Sequence, residues 1–170
     1  MSLLLAANMP ANFTDKDLGY KQLLKDMKKL GKGLEVYVGI RAEKGVEPVK
    51  GSDFNMAGLA VALEFGTEDG HIPAYPHYRP TIDEGREGYL NDLQSSVTKA
   101  IFKGSNVITE FKKIGAKVAG DVKRRIKAGV LNIYGKGNAP STIAAKGSSK
   151  PLIDTGRYWQ TIDYQVFEVK

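Results

Sequence analysis

Hydrophobic positions recur at helical spacing near the start of the chain, and they predict a first helix from Asp15 to Leu30. Thr14 can cap the first turn of this helix with its hydroxyl group. Gly31 and Gly33 follow the last turn and favour its end. The apolar stripe that we expect to face the core consists of Leu18, Leu23, Leu24, Met27 and Leu30.

The strongest helical pattern in the chain runs from about Asn106 to Lys127. Gly129 follows this segment and is a typical C-cap residue. One face of the predicted helix is apolar and the opposite face is cationic. The apolar stripe is Val107, Phe111, Ile114, Val118, Val122 and Ile126. The cationic face is Lys112, Lys113, Lys117, Lys123, Arg124 and Lys127.

Strict alternation of apolar and polar residues predicts two strands. From Leu34 to Ile40, every second residue is a branched aliphatic side chain, as expected for a strand with one buried face. The C-terminal stretch "YWQTIDYQVFEVK" alternates in the same way and places Ile162, Tyr164 and Val166 on one side. We expect these two strands to pair.

The segments between the two helical patterns differ strongly in their proline and glycine content. Residues 41–53 form a polar loop with Gly and Pro, and a short apolar helix is expected from Asn55 to Phe65. Residues 66–80 carry three prolines and two glycines, so no regular element is expected there. After them, Thr81 or Asp83 can start a long helix.

This long helix should run to about Lys103, before Gly104. Together the elements predict an α+β fold, in which a small antiparallel sheet packs against two long helices plus shorter helices. We expect residues 1–170 to form a single domain, with a flexible N-terminal arm at 1–13 and a mobile Gly/Ser/Pro-rich loop at 132–150.

The charge balance of the 170 residues is moderately basic, because 25 Lys and Arg face 19 Asp and Glu, for a net charge of +6. This balance permits an acidic partner such as DNA, but a basic surface that serves solubility explains it equally well. Since the chain has no cysteine, it can form neither disulfides nor thiolate metal sites.

No apolar run approaches the roughly 20 residues of a membrane-spanning helix. The start, "MSLLLAANMP", lacks a basic residue before its apolar run, so no secretory signal is expected. These features predict a protein that is made and assembled in the cytoplasm, with no membrane partner.

The sequence Asp154-Thr155-Gly156 matches the signature of aspartic proteases and raises the question of enzymatic activity. Such a protease needs two aspartates that share a proton within a largely β-sheet framework. Only 14 residues follow Gly156, and most of what precedes it is helical. We therefore interpret Asp154 as the acceptor of an Asx-type turn and Gly156 as the residue that permits the turn geometry.

No other pattern points to catalysis, a cofactor or a metal. His71 and His77 are the only histidines and lie on a segment interrupted by prolines, which is a poor scaffold for metal ligands. The stretch "GKGNAPS" lacks the spacing of a phosphate-binding loop. The expectation is a protein that is not an enzyme and binds no cofactor.

Two stretches of the chain carry a family resemblance. "LAVALEFGTEDGHIPAYPHYRPTID", Leu59 to Asp83, resembles the small tail-completion and head–tail joining proteins of tailed bacteriophages, the HK97-gp10-like group. In that group a helix ends in Glu-Phe-Gly-Thr, and a run like Ile-Pro-Ala-Arg-Pro-Phe-Arg-Pro leads into a long helix. Residues Asn138 to Val166 are similar to the close of such proteins, where Pro-Leu-Ile-Asp-Thr-Gly leads into a last strand.

This chain departs from the pattern of the group at two positions. Tyr75 stands where the group usually has Arg, and His77 where it usually has Phe. A contact that depends on that Arg is therefore in doubt, but the prolines that shape the turn are kept.

The resemblance implies a virion morphogenesis protein with an α+β fold, which forms a homo-oligomeric ring with other tail or neck proteins as partners. Such a protein would be assembled in the bacterial cytoplasm and located in the virion. It would complete the tail or join it to the head. A ring that assembles only on its partner is compatible with a monomer in solution.

Three sets of residues follow from these expectations. Candidates for subunit interfaces are Tyr75, His77, Tyr78, Arg79, Pro140, Thr142, Lys146, Lys150 and Arg157. Turn-forming residues are Gly66, Pro73, Pro76, Pro80, Asp154 and Gly156. The cationic face between Lys112 and Lys127 is a candidate lining for a lumen through which DNA passes.

The interface set and the cationic face each have a simpler alternative. Tyr75 and Tyr78 could cover the core, while Arg79 pairs with Glu64 or Asp83. The cationic helix face could be solvated only. A different function, that of an accessory protein that binds DNA through this face, also remains open at this point.

Overall fold

Six helices and two strands form the part of the chain that the computed structural model describes, which comprises residues 19–50, 52–128, 144 and 156–169. In chain order they are α1 (Tyr20–Lys32), β1 (Leu34–Ile40), α2 (Ala42–Gly45), α3 (Met56–Phe65), α4 (Tyr78–Lys103), α5 (Val107–Ala128), α6 (Arg157–Thr161) and β2 (Ile162–Glu168). The predicted α+β class is confirmed. None of these helices is long and apolar enough to cross a bilayer.

The two strands pair antiparallel, as their alternating patterns predict. Leu34 lies opposite Glu168, and Ile40 lies opposite Ile162. This register places the apolar side chains of both strands on one face, because alternate residues of a strand point to the same side. That face packs against α5, with which it shares the core.

Helix α5 is the central element of the core. All six residues of its predicted apolar stripe are buried. At its first turn, Asn106 accepts a hydrogen bond from the backbone N–H of Thr109 (3.1 Å), as an N-cap residue does. The predicted position and buried face of this helix are therefore confirmed, whereas its expected C-cap at Gly129 lies outside the described residues.

Helices α4 and α5 are linked by polar contacts outside the core. The hydroxyl group of Tyr89 donates to Asp121 at 2.9 Å, and Lys117 pairs with Asp92 at 2.5 Å. Arg125 donates to Thr81 at 2.9 Å and also pairs with Glu84. These contacts fix the position of α4 along α5.

The first helix differs from the sequence prediction. It begins at Tyr20 rather than Asp15, and Thr14 and Leu18 lie outside the described residues. Leu24 and Met27 of the predicted core stripe are exposed, whereas Asp26 is buried and accepts a long hydrogen bond from the N–H of Val107 (3.4 Å). The helix is rotated so that only part of its apolar stripe faces the core.

Two short helices were not predicted, and one helix starts early. Residues 42–45, expected in a loop, form α2, and residues 157–161 form α6 immediately before β2. Helix α4 begins at Tyr78 instead of Thr81 or Asp83, so Pro80 lies inside its first turn. Proline is tolerated there because the N–H groups of the first turn have no partner within the helix.

Two glycines of α5 offer a test of this packing. A Cβ atom on Gly115 would lie 2.5 Å from a ring carbon of Tyr164 on β2, whereas one on Gly120 would meet nothing within 4 Å. We expect Gly115→Ala to lower the free energy of unfolding by about 1–3 kcal/mol through overpacking. Gly120→Ala, the matched control, should raise it by up to about 1 kcal/mol through helix propensity. Urea denaturation of both variants measures the two effects, and equal effects would contradict the close contact.

Candidate functional site

The segment between α3 and α4 folds back along the end of α3. Gly66 adopts a positive φ of 81°, and a Cβ atom there would lie 3.1 Å from the backbone nitrogen of Ala74. Thr67 and Ile72 close the following loop, because the N–H of Ile72 donates to the Thr67 hydroxyl at 2.8 Å. The N–H of Tyr75 then donates to the carbonyl oxygen of Leu63 at 2.7 Å. The Glu-Phe-Gly-Thr motif thus ends α3 and reverses the chain.

Glu64 caps the start of α4 from the end of α3. Its carboxylate is buried and accepts hydrogen bonds from the backbone N–H groups of His77 (2.8 Å), Tyr78 (3.0 Å) and Arg79 (3.0 Å). The next residue, Pro80, has no N–H group. One carboxylate therefore satisfies every free N–H group at this helix end, where a negative charge is also favoured by the helix dipole.

His77 joins this helix end to the C-terminal part of the chain. Its side chain is fully buried, with Nδ1 2.8 Å from the carbonyl oxygen of Tyr75 and Nε2 2.5 Å from the hydroxyl group of Tyr158 on α6. Because a carbonyl oxygen can only accept, Nδ1 carries the proton and Nε2 accepts from Tyr158. The bond connects two residues that are 81 positions apart in the chain.

Burial controls the ionisation of this cluster. Burial alone would raise the pKa of Glu64, but the three backbone hydrogen bonds and His77 hold it below its ordinary value. Burial lowers the pKa of His77, despite opposing effects of the Tyr75 carbonyl and of Glu64. Burial also raises the pKa of Tyr158, and it raises that of Tyr78 to about 12. The cluster therefore consists of an ionised Glu64 beside a neutral imidazole and neutral phenols at neutral pH.

These directions predict a loss of stability in acid. Since His77 has a lower pKa in the folded than in the unfolded chain, the unfolded chain binds the extra proton first as pH falls below 6.5. The contribution of neutral His77 to the free energy of unfolding is fully present above that pH. As the pH falls further, the free energy of unfolding declines by up to about 1.4 kcal/mol per pH unit while one proton is taken up. Glu64 adds a second loss below pH 4.5.

Urea denaturation across this pH range measures the effect of His77. His77→Phe should remove the decline that begins near pH 6.5, whereas the matched change of the exposed His71 to Phe should keep it. A decline that persists in His77→Phe would assign the effect to another group.

The structure corrects part of the predicted interface. Tyr75 and His77 lie in the core, where a neighbouring subunit cannot contact their side chains. Tyr78 is half-buried, and its hydroxyl group lies among buried atoms beside Tyr158. The simpler alternative, in which the two tyrosines cover the core, agrees with this arrangement.

Arg79 and Arg157 are the two predicted interface residues that the structure places at the surface. The guanidinium group of Arg79 lies 5.4 Å from the ring centre of Phe65, and only its backbone N–H contacts Glu64. Arg157 pairs with Glu47 at 2.7 Å. The other predicted interface residues lie outside the described residues, namely Pro140, Thr142, Lys146 and Lys150.

The turn-forming residues are described in part. Gly66 and Gly156 both have positive φ, and a Cβ atom on Gly156 would lie 3.1 Å from the indole nitrogen of Trp159. Pro73 and Pro76 lie in the segment before α4, as expected, whereas Pro80 is helical. Asp154 lies outside the described residues, so the proposed Asx-type turn is not tested.

The cationic face of α5 is exposed but largely engaged with acidic or aromatic groups. Lys113 pairs with Glu110 (2.7 Å) and Arg124 with Asp121 (2.6 Å), in addition to the pair between Lys117 and Asp92. The ammonium group of Lys127 lies 3.8 Å from the ring centre of Trp159. The three ion pairs reduce the net positive charge that the face presents to phosphate groups.

The remaining cations of this face are Lys112 and Lys123, and neither forms an ion pair with a described residue. In the part of the chain that the structure describes, no group of three or more His, Asp or Glu could hold a metal ion. The Glu64 cluster is buried and is suited to holding the fold together.

Sequence reasoning missed Glu64 as a capping residue and Tyr158 as the partner of His77. A signal for Glu64 was present, because it stands at the end of an apolar helix shortly before a proline-rich turn. No local signal pointed to Tyr158, since its partner is 81 positions away. Comparisons of the chain with protein-family models, with curated proteins and with solved structures found no match.

Proposed function

We propose that the protein is a structural subunit of the tail-completion or head–tail joining ring of a tailed bacteriophage or prophage. One observation carries this proposal. The two stretches that resemble such proteins, far apart in the sequence, meet in the core through the bond between His77 and Tyr158. The parts of the two stretches at residues 59–83 and 156–166, which the structure describes, therefore belong to one structural unit.

The geometry of this unit suits a subunit that docks without rearrangement. Gly66 and the prolines at 73 and 76 shape the connection between α3 and α4. The buried side chains of Glu64 and His77 hold this connection to the core through hydrogen bonds. A segment held in this way has little conformational entropy to lose when a neighbour binds. Phe65 and Arg79 lie on its outer side, where an aromatic ring and a guanidinium group are typical of interface centres.

Electron microscopy of particles from a strain in which the gene is disrupted tests the proposal. We expect complete heads and tails that remain separate if the protein joins them, or tails of uncontrolled length if it terminates them. Expression of the intact chain from a plasmid should restore normal particles, which controls for effects on neighbouring genes.

Normal, infectious particles from the disrupted strain would overturn the proposal. A second set of strains refines it, with Arg79→Ala as the change and the exposed Lys99→Ala as its matched control on the same helix. If Arg79 lies in an inter-subunit contact, only its replacement should reduce the number of joined particles.

A further inference from the structure

The exposed surface of α1 combines apolar and basic side chains. Tyr20 is 66% exposed and Met27 is 51% exposed, and Leu24 lies between them at helical spacing. Beside this stripe, Lys25, Lys28 and Lys32 share one side of the helix, since they are three or four positions apart. None of these three forms an ion pair with a described residue, and the only acidic residue of the helix, Asp26, is buried. We call these six residues the basic face.

The first half of α4 carries a surface of opposite charge. Ile82 is 45% exposed and Leu90 is 54% exposed, while Asp83 and Glu87 lie on the outward side with Leu90. Thr81, Gly85 and Tyr89 occupy the inward side of the same turns. We call Ile82, Asp83, Glu87 and Leu90 the acidic face. Arg79 lies one turn before Asp83, and Arg86 lies between Ile82 and Leu90, so two cations adjoin this face.

The two faces carry charges of opposite sign. From Tyr20 to Lys32 the basic face extends for about 18 Å along its helix, and from Ile82 to Leu90 the acidic face extends for about 12 Å. Each presents exposed aliphatic or aromatic groups next to its charges, so a contact between them would bury apolar surface and form ion pairs together. A chain with a net charge of +6 repels its own copies unless charges of opposite sign meet at the contact.

We infer that the basic face of one subunit docks on the acidic face of a second copy of this chain. The contact is heterologous, because it joins two different surfaces of the same protein. Repetition of a heterologous contact closes a ring when the rotation between subunits permits it. The inference deepens the proposed ring function and rests on it for its biological meaning.

Cross-linking of the purified chain tests the contact directly. Unlabelled and isotope-labelled protein are mixed and treated with a carbodiimide, which joins lysine to carboxylate groups that touch. We expect cross-linked peptides of mixed isotope composition between the lysines of the basic face and Asp83 or Glu87. High salt should reduce their yield, because exposed ion pairs are screened within about 8 Å at physiological ionic strength.

Charge reversal gives the specificity control. Lys25→Glu with Lys28→Glu should lower the yield of cross-links from the remaining Lys32 by about tenfold. Asp83→Lys with Glu87→Lys removes both reacting carboxylates and should abolish the cross-links. A mixture of the two reversed proteins should recover cross-linking, since opposite charges meet again. Lys103→Glu with Lys112→Glu lowers the net charge by the same amount as Lys25→Glu with Lys28→Glu, at exposed positions elsewhere, and should leave the yield unchanged.

A carbodiimide traps brief contacts, so a chain that is a monomer at equilibrium still gives mixed cross-links at the highest soluble concentration if the two faces are complementary. Their absence there would overturn the inference, and so would failure of the mixture of reversed proteins to recover them. Electron microscopy of the disrupted strain distinguishes a wrong assignment of the contact surfaces from a wrong assignment of the ring function. If the disrupted strain makes defective particles but the cross-links are absent, the ring contact lies on other surfaces. If the particles are normal, the ring function itself fails.

Discussion

Replacement of Glu64 by alanine is expected to lower the free energy of unfolding by about 3–5 kcal/mol. The change leaves three backbone N–H groups at the start of α4 without their acceptor, inside the protein. It also removes the negative charge that favours this helix end. Urea or thermal denaturation measures the loss, and circular dichroism shows whether the variant still folds.

Two further variants give this experiment its controls. Glu64→Gln keeps one carbonyl oxygen as an acceptor and should lose less stability than Glu64→Ala. Glu68→Ala removes an exposed carboxylate four positions later and should change the stability by less than about 0.5 kcal/mol. A loss below about 1 kcal/mol in Glu64→Ala would show that water replaces the carboxylate and that the cap is not buried in solution.

Ile126→Ala is the second change with a large expected effect, a loss of about 2–5 kcal/mol in the free energy of unfolding. Ile126 has no exposed surface and lies in the core cluster that also contains Tyr75, Tyr158 and Ile162. Its removal opens a cavity in the cluster that contains Tyr75 and Tyr158, the two hydrogen-bond partners of the His77 side chain. Urea denaturation measures the loss. A lower midpoint with an unchanged slope of the unfolding free energy against urea concentration would attribute the loss to packing in the folded state.

Ile82→Ala is the matched control, because the same side chain is removed from an exposed position. We expect a change within about 0.5 kcal/mol at this site. Similar losses in both variants would contradict the burial of Ile126 and the position of α5 in the core.

The local pattern of the sequence determined the elements whose side-chain periodicity is visible within the element itself. The alternation from Leu34 to Ile40 predicted β1 with its correct ends, and the stripe from Val107 to Ile126 predicted the buried face of α5. These predictions succeed because side-chain periodicity is a property of the backbone conformation and is visible within a few turns. The α+β class followed from the same patterns.

Tertiary contacts decided where α4 starts and which side chains around it are buried. The start at Tyr78 depends on Glu64 of another helix, and the burial of His77 depends on Tyr158, 81 positions away. Composition alone favoured an exposed aromatic cluster at this place, since tyrosine, histidine and arginine are typical of interfaces.

The buried face of the first helix also depended on tertiary contacts. Its apolar stripe predicted a buried face, yet Leu24 and Met27 are exposed and Asp26 is inside. Periodicity establishes that a helix has distinct faces, but the face that is covered depends on the elements that pack against it. The sequence by itself therefore determined the presence of the four longer helices and of both strands and, because it predicts two strands, their pairing. Only the tertiary structure decided the cap of α4, the buried link between the two resembling stretches, and the surfaces left open for a partner, because each depends on residues distant in the chain.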